Sequence, residues 1–174
     1  RVGAPVLLVH PLVVPAATAA EIARLQPRRI VVLGGAAVVS DAVFGVLGAS
    51  AAEGAIRIAG ANRYETAAAA SQAAYPSGAP VAYLVSGRTF PDAVSAAPAA
   101  ARDGGPVLLT DPLALSAATA TELSRLAPSR VVIVGGGGAV SPGVAAQAGA
   151  ILPSATIERL AGADRYATSA AVAA

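Results

Sequence analysis

Along this chain, short continuous apolar runs alternate with longer stretches in which apolar and polar positions are mixed. Val81 to Val85, Pro106 to Thr110 and Arg130 to Val134 are runs of the first kind, each closed by a polar residue or glycine. Runs of that length and composition read as strands buried on both faces. The stretches between them carry helix start signals. Asn62 precedes Arg63-Tyr64-Glu65 at capping-box spacing, which predicts a helix to about Ala74. Pro91-Asp92 opens a second helix to about Ala101, and Pro98 is expected to kink or shorten it. A third is predicted from about Ser116 to Leu126, with Leu115, Leu123 and Leu126 toward the core and Glu122 and Arg125 toward water. Gly135 to Gly138 reads as a turn, and Ser141-Pro142 as the cap and first residue of a fourth helix. This alternation predicts an α/β fold with a parallel sheet and helices on both faces.

The same pattern occurs more than once. Residues 1–43 align without gaps onto 102–144 at an offset of 101, with 23 of 43 positions identical. One residue is then inserted, and 57–72 (RIAGANRYETAAAASQ) match 159–174 (RLAGADRYATSAAVAA) at an offset of 102. A period of about 100 residues exceeds that of solenoid repeats and matches a small duplicated domain. The reading is the latter part of one repeat (1–55), a complete repeat (56–157) and the start of the next (158–174), a portion of a longer protein.

Composition narrows the function classes. With 55% hydrophobic and 13% charged residues, disorder is excluded. The uncharged stretches 66–87 and 131–157 raise the question of a membrane span, but both are broken by Pro and Gly. No membrane span is expected. All 12 basic residues are Arg, which removes a P-loop lysine and a Schiff base; a GC-rich genome explains that bias equally well. There is no Cys and one His, so thiol chemistry is absent and metal binding has little to work with. A net charge of +2 is too small for a nucleic-acid partner.

No catalytic constellation emerges, and no cofactor or metal is expected. Gly135-Gly136-Gly137-Gly138-Ala139-Val140 follows a strand, but Val140 breaks the dinucleotide spacing, leaving a tight turn or a weak anion site. His10, whose repeat partner is Asp111, reads as a loop residue. Asp92 is explained as a first-turn carboxylate favoured by the helix dipole. The arginines are what recur: Arg1/Arg102, Arg24/Arg125, Arg29/Arg130, Arg57/Arg159 and Arg63/Arg165. Arg24 and Arg125 follow a Glu by three positions and read as solvated helix pairs. Arg57, Arg63, Arg159 and Arg165 gather around helix starts, where the dipole disfavours cations. They either pair with carboxylates or contact an anionic ligand.

Several motifs in order resemble the bacterial cell-wall-binding repeat, type 2. Arg57 to Ala67 (RIAGANRYETA) is similar to that family's R-x-x-G-x-D/N-R-Y-x-T-A signature. Ser86 to Ala96 (SGRTFPDAVSA) resembles its S-G-x-x-F-P-D-A-L-S-A stretch. Pro5 to Leu8 and Pro106 to Leu109 resemble its P-I-L-L element with Val for Ile, and Val31 to Gly35 and Val132 to Gly136 its V-x-x-L-G-G segment. The resemblance implies a Rossmann-like or Toprim-like fold in tandem modules, non-catalytic, outside the cell of a Gram-positive bacterium. Such modules hold a surface or secreted protein, which can carry a separate hydrolase domain, to an anionic cell-wall glycopolymer. It further implies ligand contacts at Leu7, Leu8, Leu108 and Leu109. With no Lys, the polyanion contacts expected here fall to Arg57, Arg63, Arg88, Arg159 and Arg165, and the Ala- and Arg-rich composition suggests an actinobacterial source. Two alternatives stand beside this reading: a structural spacer without ligand, and a Rossmann-like nucleotide- or sugar-phosphate-binding enzyme.

Overall fold

The computed structural model describes residues 4–174; Arg1 lies outside the described residues. The chain forms two compact units, one ending at Asn62 and one running Arg63–Ala174. The first contains α1 (Ala16–Leu25), β1 (Ile30–Leu33), α2 (Asp41–Ala49) and β2 (Ala55–Ile58). The second contains α3 (Arg63–Ala74), β3 (Val81–Ser86), α4 (Pro91–Asp103), β4 (Val107–Thr110), α5 (Ala117–Leu126), β5 (Arg130–Val134), α6 (Pro142–Ile151), β6 (Thr156–Leu160) and α7 (Arg165–Ala173).

Every strand pair is parallel. In the first unit β1 pairs β2, with Ile30 opposite Ala55. In the second the order is β4-β3-β5-β6, so the winding reverses between β3 and β5. All six residues of β3 are buried, as a central strand covered on both faces requires. Strand alternation sorts the core into two layers. Ala82, Leu84, Val131 and Ile133 pack on one side with Leu123 and Leu126 of α5 and Val144 and Ala148 of α6. Val81, Tyr83, Val85, Val132 and Val134 pack on the other with Ala96, Ala99 and Ala100 of α4 and Val172 of α7. The small side chains of α4 let its backbone approach the sheet closely.

Side chains cap the starts of α5, α6 and α7, among them the predicted one at Ser141. Ser116 Oγ accepts the Thr119 amide at 3.2 Å, Ser141 Oγ the Val144 amide at 3.4 Å, and Asp164 Oδ1 the Ala167 amide at 2.8 Å. Two expectations need correction. The helix α4 runs through Pro98 to Asp103, close to the expected end at Ala101, so Pro98 does not shorten it. Pro98 and Val94, whose carbonyl loses its helical donor, are both exposed, so water can serve that carbonyl. Glu122 does not face water; it is 0% exposed. Its carboxylate takes Arg125 Nε at 2.8 Å and Arg125 Nη2 at 2.6 Å, and the same guanidinium donates to the Tyr75 and Pro76 carbonyls. The repeat-equivalent pair, Glu21 and Arg24, is solvated as expected.

A charged network closes the amino ends of the central strands. Asp103 accepts from the buried Tyr83 hydroxyl at 2.8 Å, from Arg130 Nη2 at 2.5 Å and from Arg102 Nε at 3.0 Å. Arg130 Nη1 also reaches Glu158 Oε1 at 2.9 Å. The hydrogen bond from Arg102, then those from Tyr83 and Arg130, hold the Asp103 carboxyl below its usual 3.8. A carboxylate depressed on folding stabilises above its unfolded pKa and loses that contribution as pH falls through the folded value. We therefore expect Asp103→Asn to cost about 1–3 kcal/mol at neutral pH. Denaturation titrations should show the difference shrinking as pH drops below about 3.8; a constant gap across that range would refute the ionic role.

Candidate functional site

The arginines singled out from the repeat have different surroundings. Arg57, on β2, donates Nη1 to the Gly34 and Val39 carbonyls, both at 2.8 Å, and Nη2 to Asp41 at 3.1 Å. Its guanidinium also lies 4.6 Å from the centre of the Phe44 ring, within cation–π range. Arg159, on β6, makes the corresponding bond to the Gly135 carbonyl at 2.5 Å. The carboxylate and ring are not repeated, because Pro142 and Ala145 stand at the positions of Asp41 and Phe44. Burial alone lowers the Arg159 pKa. Both residues therefore clamp the turn after the preceding strand.

Arg63 opens α3, and its Nη1 donates to the Gly87 carbonyl at 2.6 Å. Gly87 itself is needed there: a Cβ would lie 2.5 Å from the Tyr64 ring. Arg88 pairs with Asp111 at 2.8 Å across the loops that follow β3 and β4. Asp111 also accepts the Leu113 amide at 3.0 Å, as His10 Nδ1 accepts the Leu12 amide at 3.2 Å. The two repeat partners thus perform the same turn-closing task, a common one for short polar side chains.

The leucines of the P-V-L-L elements separate by context. Leu108 lies on β4, is 1% exposed and packs in the core, so its side chain is closed to a surface ligand. Leu109 packs partly against the opposite layer. In the first unit Leu7 is 38% and Leu8 85% exposed, and no strand forms there. Val107 to Thr110 are strand because β3 pairs with them.

Arg165 is different. It opens α7, is exposed and forms no ion pair with either Asp92 or Asp164. It borders a crevice of about 300 Å³ at the carboxyl ends of β3, β5 and β6. Thr89 and Asp92 come from the first of these ends, Gly135 and Gly136 from the second, and Asp164 and Arg165 from the third. Open parallel sheets bind ligands at such a place, where the winding reverses. Gly135 has φ of 107°, and a Cβ there would meet Asp92 Oδ2 at 2.6 Å. The turn must be glycine for Asp92 to enter the crevice. Burial pushes the Asp92 carboxyl up, and the Arg165 charge partly opposes that. Of the crevice residues, sequence reasoning singled out Arg165 and the glycine turn; it took Asp92 only as a helix-dipole carboxylate.

The family model described as Cell wall binding domain 2 (CWB2) matches residues 57–145. The chain belongs to this family. As a CWB2 chain it is 42% identical over 117 residues to N-acetylmuramoyl-L-alanine amidase LytC of Bacillus subtilis (strain 168), covering 67% of this chain and 23% of that protein. It is 34% identical over 173 residues to the Amidase enhancer of the same organism, covering 98% of this chain and 22% of that protein. The chain thus spans less than a quarter of either relative's length. Among solved structures, Cwp8 from Clostridium difficile matches with a TM-score of 0.76 at 29% identity, over 91% of this chain and 27% of that one. Cwp6 from the same organism, at 24% identity, shares the fold with a TM-score of 0.80 over 91% of this chain and 25% of that one. The CWB2 assignment makes this a cell-wall-binding module with a wall polymer as its partner. Among the described residues no helix is long and apolar enough to cross a membrane.

Proposed function

We propose that this module is non-catalytic and holds a secreted or surface protein to an anionic glycopolymer of a Gram-positive cell wall. The observation that carries this reading is Arg165, an exposed guanidinium that forms no ion pair among the described residues and borders a polar crevice. A guanidinium suits phosphate and carboxylate. The proposed contact set is narrower than the list of recurring arginines. Arg57 and Arg159 serve the fold, and Leu108 lies inside it; Arg63 and Arg88 keep part of their surface for a ligand.

The repeat limits 1–55, 56–157 and 158–174 are part of the proposal, because tandem copies raise retention by avidity where each contact is weak. The relatives' names, an amidase and an amidase enhancer, support a host protein that processes the wall in a part this chain does not span. Retention on isolated wall sacculi tests the reading: it should fall sharply when phosphate- and uronate-bearing polymers are stripped. Arg165→Ala should weaken retention about tenfold, the scale of a charge-assisted hydrogen bond, without moving the thermal transition.

A spacer without ligand is the second reading, favoured by the internal engagement of Arg57 and Arg159. It requires equal retention of Arg165→Ala and the unaltered chain, and of stripped and unstripped walls.

A further inference from the structure

The crevice at the ends of β3, β5 and β6 holds charges of both signs on different elements. Asp92 belongs to α4 and Arg165 to α7, and the two form no ion pair. Asp164 gives Oδ1 to the Ala167 amide as the cap of α7, and Asp92 is the crevice's other carboxylate. A bare anion would gain from Arg165 but meet repulsion from Asp92; a bare cation would meet the reverse. A ligand that satisfies both must bring an acidic group to one side and hydrogen-bond donors to the other. Neighbouring hydroxyls donate to a carboxylate, and an acid group receives the guanidinium fork.

Size points the same way. A volume of about 300 Å³ stands at the small end of ligand pockets and gives room for one sugar residue. Thr89 adds a hydroxyl at the rim, and Gly135 and Gly136 present main chain without side chains in the way.

We propose that this crevice is the subsite for a single acidic sugar residue, with Asp92 accepting from its ring hydroxyls and Arg165 holding its phosphate or carboxylate. The proposal rests on the wall-polymer reading and supplies its recognition chemistry. The acid can be a sugar phosphate or a uronic acid, and separate probes tell these apart.

Backbone-amide NMR titration of the whole chain tests it with α-D-glucose 1-phosphate and D-glucuronate, set against glucose, inorganic phosphate and phosphoethanolamine. The expected result is perturbation at Gly135, Gly136 and the 162–165 segment by at least one of the two acidic sugars. That sugar should bind about tenfold better than glucose or phosphate. Arg165→Gln should reduce it to the level of glucose, and Asp92→Asn to that of phosphate; Asp92→Asn is isosteric and Arg165 exposed, so both variants should keep the fold. Four outcomes overturn the proposal. These are no perturbation at those amides, equal binding of phosphate and sugar phosphate, indifference to Asp92→Asn, or tighter binding of phosphoethanolamine, which would mark a zwitterion site. Wall retention separates the two levels: retention dependent on acidic polymers with a silent crevice removes the subsite alone, while retention indifferent to them removes the wall-polymer reading as well.

Discussion

Arg125→Ala should destabilise the Arg63–Ala174 unit by about 3–5 kcal/mol, the cost of leaving a buried carboxylate without its cation. The repeat-equivalent Arg24→Ala should leave the thermal transition where it is. The two arginines occupy the same Glu-x-x-Arg motif on the same face of equivalent helices, yet Glu122 is 0% exposed whereas Glu21 is 36% exposed in its side chain. Burial pushes the Glu122 carboxyl up, but the hydrogen bonds it accepts, that from Arg125 first, together with the Arg125 charge outweigh that and hold it below its usual 4.5. Its contribution is thus present above the unfolded pKa and lost as pH falls through the folded one. Differential scanning calorimetry should show Arg125→Ala lowering the transition by roughly 10–20 °C, and Glu122→Gln flattening the acid limb of the stability profile. If Arg125→Ala and Arg24→Ala behave alike, the buried pair contributes nothing.

A chain carrying a second copy of residues 63–101 ahead of Arg1 should protect the open edge of β1. Arg1 aligns with Arg102, so the duplicate enters in register. The added β3 would pair β1 as β3 pairs β5, placing Tyr83 opposite Val31 in the way that Tyr83 stands opposite Val132. Val31 and Leu33 are 49% and 55% exposed, whereas their equivalents Val132 and Val134 are 0% exposed. Covering both, together with Val6 and Leu8 at 89% and 85%, is worth ~1.5–3 kcal/mol for each side chain fully buried. Hydrogen exchange at the β1 amides should slow by orders of magnitude, and residues 6–9 should become strand. Unchanged exchange would show that the repeat limits drawn from the sequence do not describe folding units.

These two results bear on how far the sequence could be read. β3 and β5 were legible because buried parallel strands are continuous apolar runs, and Ser141-Pro142 announced its helix through cap chemistry. The edge strands β2 and β6 were not anticipated. Their sequences, AIRI and TIERL, mix charged with apolar residues because only part of each strand is covered. The burial of Glu122 had no local signal at all. The Arg125 guanidinium paired with it is held by the Tyr75 and Pro76 carbonyls, some fifty positions earlier in the chain, while the motif itself is shared with the solvated pair. Pro98 misled in the opposite sense: on the solvent side a helix loses one hydrogen bond there and continues. The crevice is built from three strand ends spread over residues 89–168, so the recurrence of arginine found one wall and missed the opposite one.

The position of α7 has a mechanical consequence. By sequence it opens a new copy, matching α3, yet Val172 and Thr168 are 3% and 4% exposed and Val172 packs against the sheet layer that precedes it. Only residues 161–164 separate β6 from α7, and Gly162 is tied to Thr168 Oγ1 by a 2.9 Å hydrogen bond. A helix seated this way in the sheet before it cannot serve as a hinge. Within the Arg63–Ala174 unit, a pull on α7 would be borne by its packing on the sheet layer and not taken up by a slack tether.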